Sequence, residues 1–252
     1  MLVDSHCHLN SLSPDTLRRV ISSPDRDCIF FDSSIDFDSS LASIELSRRY
    51  DFIYTALGFH PFKVKDFRDS VIDDYRKLIR ENKKIIAIGE IGLDYKADSE
   101  AALQEEVFIK FLELAGFENL PVILHNRFQN KKSSTCRALE IIEDVFAVYD
   151  KVVFHCFSYS PALMDEIIKR GGMVSFSLNV LREDKGIIAS LERCPVENLL
   201  LETDSPYMKI KGSASTPLDI KNVYSFASSC KRIGEDYLKE AVFSNVRRVF
   251  SV

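Results

Sequence analysis

Ile85-Ile-Ala-Ile-Gly-Glu90 is an apolar run of strand length that closes on an acid. Downstream, Glu100 to Ala115 carries apolar residues at three- and four-residue spacing, the mark of an amphipathic helix, and Pro121 to His125 is a second short apolar run. Strand, helix and strand in this order make a βα unit, which forces parallel pairing. The same alternation extends in both directions, with strands expected at Leu2 to His6, Cys28 to Asp32, Phe52 to Gly58, Val152 to His155, Met173 to Ser177 and Leu199 to Thr203. Ser13-Pro14 and Ser160-Pro161 set a capping hydroxyl before a helix-starting Pro, and Gly171 stops the helix before it. Eight such units predict the α/β class and a single (β/α)8 TIM barrel; an open doubly wound sheet usually has fewer strands and a Gly-rich phosphate loop, which this chain lacks.

The 252 residues, 46% of them apolar and 18 of them Phe, suit one such domain over 1–252, and no repeat or Pro/Gly/Ser-rich linker divides it. A formal charge of -5 gives no global field toward nucleic acid or an anionic membrane, so a polyanion has to be attracted locally or by bound cations. Six scattered Cys without a CxxC pair read as thiols of a reducing compartment. Met1-Leu2-Val3-Asp4 lacks the features of a signal peptide, and no apolar run nears the roughly 18 residues of a membrane helix, so a soluble cytoplasmic protein is expected.

The strand assignment decides where the chemistry sits. His6, His8, His60, His125 and His155 are all the histidines of the chain, and each falls at the C-terminal end of an expected strand. In a barrel those ends meet at one mouth, where barrel enzymes keep their active sites. An isolated His is more often a satisfied structural residue, but five at one face are not. His6 and His8, two apart in an extended segment, face the same side. Glu90 and Asp204 end strands 4 and 8 at that mouth, and a carboxylate there is costly unless paired or metal-bound; two structural salt bridges are the alternative. Six imidazole and carboxylate ligands suit two divalent ions sharing a bridge better than one tetrahedral ion, and such a set accepts Mg2+, Mn2+ or Zn2+.

Asp4-Ser-His-Cys-His-Leu9, Gly58-Phe-His-Pro61, Gly89-Glu-Ile-Gly-Leu-Asp-Tyr95, Pro121-Val-Ile-Leu-His125, His155-Cys-Phe157 and Leu201-Glu-Thr-Asp-Ser-Pro-Tyr207 together resemble the TatD family of metal-dependent deoxyribonucleases, within the amidohydrolase-like barrels. Asn245-Val-Arg-Arg-Val-Phe250 is similar to that family's last helix, so the resemblance spans nearly the whole chain. It implies His6, His8, Glu90 as bridge, His125, His155 and Asp204 as metal ligands, and His60 as a residue that faces substrate phosphate. It also implies a 3′–5′ exonuclease acting on DNA, at single-stranded ends.

For such a reaction Asp204 is the candidate general base. Glu202, two residues earlier and on the same inward side, is placed to orient a ligand or water, its alternative being an ion pair at the rim. Asp4 and Asp94 admit supporting roles, and Asp94 is equally read as a loop anchor. Lys63, Lys65, Arg127, Lys131, Lys132, Arg182, Lys185, Lys209 and Lys211 follow strands 3, 5, 7 and 8, and Arg127, two residues from His125, is the first choice for a phosphate contact. Phe59, Phe62, Phe128 and Tyr207 are candidates for stacking on unpaired bases.

The chain departs from the family pattern at Phe62, Asn126 and Tyr159 and in the short segment Lys209 to Asp219. Two rival readings are a hydrolase of amides, lactones or phosphotriesters on the same barrel, and a non-catalytic metal-binding scaffold. The first commonly bridges its metals through a carbamylated Lys where this chain has Glu90, and the second gives no reason to keep Glu202 beside Asp204.

Overall fold

A computed structural model describes residues 1–23, 27–210 and 212–252. The element order is β1 (Leu2–Cys7), α1 (Pro14–Ile21), β2 (Cys28–Ser33), α2 (Phe37–Arg49), β3 (Ile53–Leu57), α3 (Ser70–Glu81), β4 (Ile85–Asp94), α4 (Ala101–Glu118), β5 (Val122–Arg127), α5 (Arg137–Val145), β6 (Val152–Phe154), α6 (Pro161–Lys169), β7 (Met173–Phe176), α7 (Lys185–Arg193), β8 (Leu199–Leu201), β9 (Lys209–Ile210), β10 (Ser213–Ala214), α8 (Ile220–Lys231) and α9 (Glu235–Phe250). Strands β1 to β8 pair in sequence order, each parallel to the next. Every residue of β7 and β8 is buried, as parallel strands covered on both faces require. The fold is the (β/α)8 barrel that the alternation predicts, with one additional helix, α9, at the C-terminal end of the sequence.

The ring closes between β8 and β1 through a polar seam. Thr203 donates from its backbone N to Asp4 Oδ1 at 2.8 Å and from its hydroxyl to Oδ2 at 2.6 Å, while Asp204 N donates to His6 O at 3.0 Å and His8 N to Ser205 O at 2.8 Å. Asp4 is therefore a fastener between first and last strand. Its full burial pushes its carboxyl well above the ordinary range, against the lowering effect of the Thr203 hydrogen bonds.

The C-terminal ends of β1 to β8 lie one to four residues from the expected positions, and the shifts at β4 and β8 bear on the site. β4 runs past Glu90 to Asp94, because Gly92, Leu93 and Asp94 go on pairing with His125, Asn126 and Arg127 after a register shift between Ile88 and Ile91. Glu90 sits in that break, its N–H donating to Ser34 O at 3.1 Å. The close approach depends on glycine. A Cβ on Gly58 would lie 2.4 Å from Glu90 N, and one on Gly92, at φ +140°, would lie 1.9 Å from His125 O. β8 stops at Leu201, and Glu202, Thr203 and Asp204 turn into the seam and the mouth.

The helix punctuation is as read. Ser13 accepts from Thr16 N at 3.3 Å and Ser160 from Leu163 N at 3.5 Å, each before a Pro at the first helical position; such caps are worth about 1 kcal/mol. The hairpin β9–β10 has no counterpart in the sequence reading. All six cysteines are unpaired. Among the described residues no helix is long and apolar enough to cross a membrane.

Candidate metal centre

The strand ends bring His6, His8, Glu90, His125, His155 and Asp204 to one buried cluster, none of them more than 8% exposed. Its arrangement turns on the two oxygens of Glu90. Oε2 lies 3.5 Å from His6 Nε2 and 3.6 Å from His8 Nε2. Oε1 lies 2.5 Å from His125 Nδ1 and 2.8 Å from His155 Nε2. Asp204 Oδ1 approaches the first group, 3.6 Å from His8 Nε2 and 4.0 Å from His6 Nε2. One carboxylate thus stands between two sets of nitrogen donors. Asp204 enters the cluster from a left-handed backbone, φ +53°, held by its N–H on His6 O and by its carbonyl, which accepts from Met208 N at 2.9 Å.

Acceptor-only partners at the outer ring nitrogens fix the tautomers of His8 and His125. His8 Nδ1 lies 2.9 Å from the Ser33 carbonyl, which only accepts, so this nitrogen carries the proton and Nε2 points its lone pair inward. His125 Nε2 lies 2.9 Å from Asp94 Oδ2, which turns the Nδ1 lone pair toward Glu90. His6 Nδ1 lies 3.1 Å from the Ser33 hydroxyl. His8 Nε2 therefore presents a lone pair, and His6 Nε2 lies only 3.1 Å from it, two imidazole nitrogens near enough to share one cation. His6, His8 and Glu90 offer one ligand atom each within 4.8 Å of one another, as do His6, His155 and Glu202. Glu202 Oε2 is buried without a hydrogen-bond partner, and a leftover buried carboxylate oxygen of this kind points to a further charged group in the site.

Charge is concentrated here. Burial alone would raise the Glu90 carboxyl, but His155, His60 and His125 hold it well below the usual carboxylate range. Asp204 is likewise held low, against burial, by His8, His155 and His6. Burial depresses His6, whereas at His155 burial is outweighed by Glu90 and Glu202, which push it well up. His8 and His125 also rise against their burial, through their carboxylate neighbours. A cation held here would therefore compete with protons for the same imidazoles.

His60 stands apart from the other four. Its Nε2 is 3.5 Å from Glu90 Oε1 and 3.3 Å from His125 Nδ1, close enough to form a third potential ligand group with them. Its Nδ1, however, accepts from Phe62 N at 3.1 Å, so the proton of the neutral ring is on Nε2. Burial, opposed by Glu90 and reinforced by His125, drops its pKa to about 3, which keeps the ring neutral. His60 is a hydrogen-bond donor aimed into the site.

Glu202 is fully buried, its Oε1 accepting from Cys156 N at 2.6 Å and lying 3.4 Å from His155 Nδ1. Asp94, besides holding His125, accepts from Lys96 N at 2.8 Å and pairs with Arg127 Nη1 at 3.1 Å, so it is both loop anchor and imidazole support. Arg127 remains 43% exposed, at the mouth. Among the other basic candidates, Lys63 pairs with Asp36 at 3.1 Å and Lys65 with Asp98 at 2.9 Å. Arg182 Nη2 touches Met208 Sδ at 3.6 Å. Lys131, Lys132, Lys185 and Lys209 make no salt bridge among the described residues, and Lys211 lies outside them. Ser33 escaped the sequence reading although it steadies both His6 and His8; a serine at a strand end carries no signal of its own, and only the pairing of β2 with β1 reveals it.

A family model described as "TatD related DNase" matches residues 3–251. The chain is 34% identical to the uncharacterized metal-dependent hydrolase MJ1582 of Methanocaldococcus jannaschii, over 98% of this chain and 96% of that one. It is 29% identical to the 3′–5′ ssDNA/RNA exonuclease TatD of Yersinia pseudotuberculosis, over 85% of each. Among solved structures, the TatD homologue YjjV of Escherichia coli K12 superposes with a TM-score of 0.88 at 23% identity, covering 100% of this chain and 98% of that one. With this match over nearly its whole length and a His/carboxylate cluster at the barrel mouth, the chain belongs to the TatD-related DNase family of metal-dependent hydrolases.

Proposed function

We propose that residues 1–252 act as a single metal-dependent phosphodiester hydrolase domain, a deoxyribonuclease of the 3′–5′ exonuclease type. The observation that carries this reading is the split of Glu90, with Oε2 toward His6 and His8 and Oε1 toward His125 and His155. Two divalent ions, Mg2+, Mn2+ or Zn2+, would be held by His6, His8, Glu90, His125, His155 and Asp204, with Glu90 as the bridge. Once bound, they would supply an activated water and neutralise the negative charge that develops on the phosphate oxygens.

The side chains around them do the rest. Asp204, ionised and 8% exposed, accepts the proton of the attacking water and is the general base. Glu202 holds His155 from behind while its own Oε1 is fixed by Cys156 N. His60 donates its Nε2–H to a phosphate oxygen, and its neutrality leaves no added positive charge to repel the metals. Arg127 contributes a guanidinium edge to the phosphate while another edge stays on Asp94. Relatives named as 3′–5′ ssDNA/RNA exonucleases support DNA, at single-stranded ends, as the substrate. Six free thiols suit a reducing cytoplasm.

The test combines elemental analysis with digestion. Protein purified without chelator is expected to carry close to two divalent ions per chain and to shorten end-labelled single-stranded DNA from the 3′ end. Asp204→Asn is expected to bind the DNA and cleave it at least about 100-fold more slowly. Intact DNA beside turnover of lactones or esters rejects the nuclease reading, and a metal-free inert protein rejects catalysis altogether.

A further inference from the structure

Aromatic rings are abundant at the mouth, but few have a free face. Phe59 is 4% exposed and packed against Phe67 and Phe111. Phe128 is covered by Tyr159, the two rings stacked at 4.3 Å and 9°, with the Tyr159 hydroxyl tied to Asn126 O and to Phe128 N. Tyr95 is exposed but has Lys96 Nζ 5.8 Å from its ring centroid. Phe62 and Tyr207 remain, 53% and 54% exposed.

These two rings have matching supports. Phe62 stands edge-to-face with His60 at 5.0 Å, and its backbone N–H is bonded to that imidazole. Tyr207 stands edge-to-face with His8 at 4.8 Å, and its hydroxyl is 3.2 Å from the Ser11 hydroxyl. His60 approaches one oxygen of Glu90 and His8 the other, at 3.5 and 3.6 Å. One exposed ring is thus held against an imidazole near each oxygen of the metal-site carboxylate, with a planar face open at the site. Planar, sequence-indifferent partners for such faces are nucleobases, and they present both faces only when unpaired.

We infer that Phe62 and Tyr207 are base-stacking subsites that flank the reacting phosphodiester and take up the nucleobases on either side of it. The inference rests on the nuclease reading and assigns its demand for unpaired terminal bases to these two rings. A duplex end offers bases already stacked and hydrogen-bonded, which must be freed before either ring can be used.

The experiment measures kcat/KM on 3′-terminal single-stranded oligonucleotides, intact or with an abasic residue at the last or next-to-last position. It is paired with the fluorescence of 2-aminopurine at the same positions. For the unaltered protein an abasic residue is expected to lower kcat/KM about 5- to 100-fold, the range of one base–aromatic stack, and 2-aminopurine is expected to be quenched on binding. Phe62→Ala and Tyr207→Ala should each lose a similar factor on the intact strand and lose nothing further when the abasic residue is at the position that ring serves. Tyr207→Phe, which keeps the ring and drops the Ser11 contact, should restore the quench. If each variant loses the same factor on intact and abasic strands, the stacking subsites are refuted while the nuclease reading stands. If the unaltered protein neither cuts nor binds any oligonucleotide with divalent metal present, both fall together.

Discussion

The two ends of the barrel are built from opposite materials. At the mouth, Asp4, His6, His8, Glu90, Asp94, His125, His155, Glu202 and Asp204 are all ionisable and none is more than 8% exposed. At the floor, α9 crosses beneath the strands and inserts Phe250, 4% exposed, edge-to-face on Phe31 at 4.9 Å. The polar groups of the floor answer backbone as well as one another, Arg248 Nη2 reaching Asn245 Oδ1 at 3.4 Å. Asn245 Nδ2 donates to Val196 O at 2.7 Å and Leu199 O at 2.9 Å, and Arg248 Nη2 donates to Glu197 O at 2.5 Å. Burial stabilises the floor, whereas the mouth packs charges whose desolvation and mutual repulsion a bound cation would balance. In a barrel this division is expected, since catalytic variation is confined to the loops of one face. Substitutions at the two ends should therefore be read by different instruments.

The largest effect expected on stability comes from the floor. Phe250→Ala removes a buried ring and its aromatic partner contact, at a cost of about 3–5 kcal/mol. Urea unfolding should show that loss, while the metal content of the folded fraction stays as in the unaltered protein. A variant that kept its stability and lost metal would break the division between the two ends.

At the mouth the expected change is smaller and of another kind. Asp94→Asn takes the charge from the acceptor of His125 Nε2 and weakens the hold on Arg127, so metal affinity should fall about 10- to 100-fold, the usual scale for a residue behind a metal-bound imidazole. Calorimetric metal titration reads this directly. Urea unfolding of the metal-free form should move less than for Phe250→Ala; a larger shift would make Asp94 chiefly the anchor of the 94–96 turn.

The reach of sequence reasoning follows the same division. The strands were legible because Phe, Ile, Leu and Val mark buried strands by composition, and α4, Ala101–Glu118, lies where the three- and four-residue spacing of Glu100 to Ala115 indicates. The candidate ligands were legible because His and acids ending apolar strands are costly enough to be conspicuous. Partners were less so. That Asp94 stands behind His125, or that Ser33 steadies two imidazoles from the next strand, depends on register, and a parallel register has no local signature. The bend at Glu90 was invisible too, since it needs Gly58 and Gly92 to bring three backbones together. Among the aromatics, sequence could nominate Phe59, Phe62, Phe128 and Tyr207 but not separate the two that are covered from the two that are open.

Asp32 lies between the two regimes, and the smallest of the expected effects tests how far the charge of the mouth extends. Its carboxylate is fully buried at the end of β2, with Oδ1 accepting from Asn10 N at 3.2 Å and Asn10 Nδ2 at 2.8 Å, and Oδ2 accepting from Ser43 Oγ at 2.7 Å. Burial raises its pKa to about 6, against those hydrogen bonds and the nearby His8. An acid whose folded pKa lies above its unfolded value of about 3.9 gives stability that is complete below that value and is lost as pH rises through the folded one. Asn at this position keeps the accepting oxygen, offers Ser43 a donor in place of the acid proton, and cannot ionise. Asp32→Asn should therefore match the unaltered protein near pH 4 and exceed it by about 1–2 kcal/mol at pH 7. This is less than the roughly 3 kcal/mol that two pH units imply, because the folded site relaxes around the charge. Urea unfolding at the two pH values decides it. A constant loss at both would mean that the ionised carboxylate is a structural partner of Asn10 and Ser43, and that the costly charge of this barrel stops at the metal cluster.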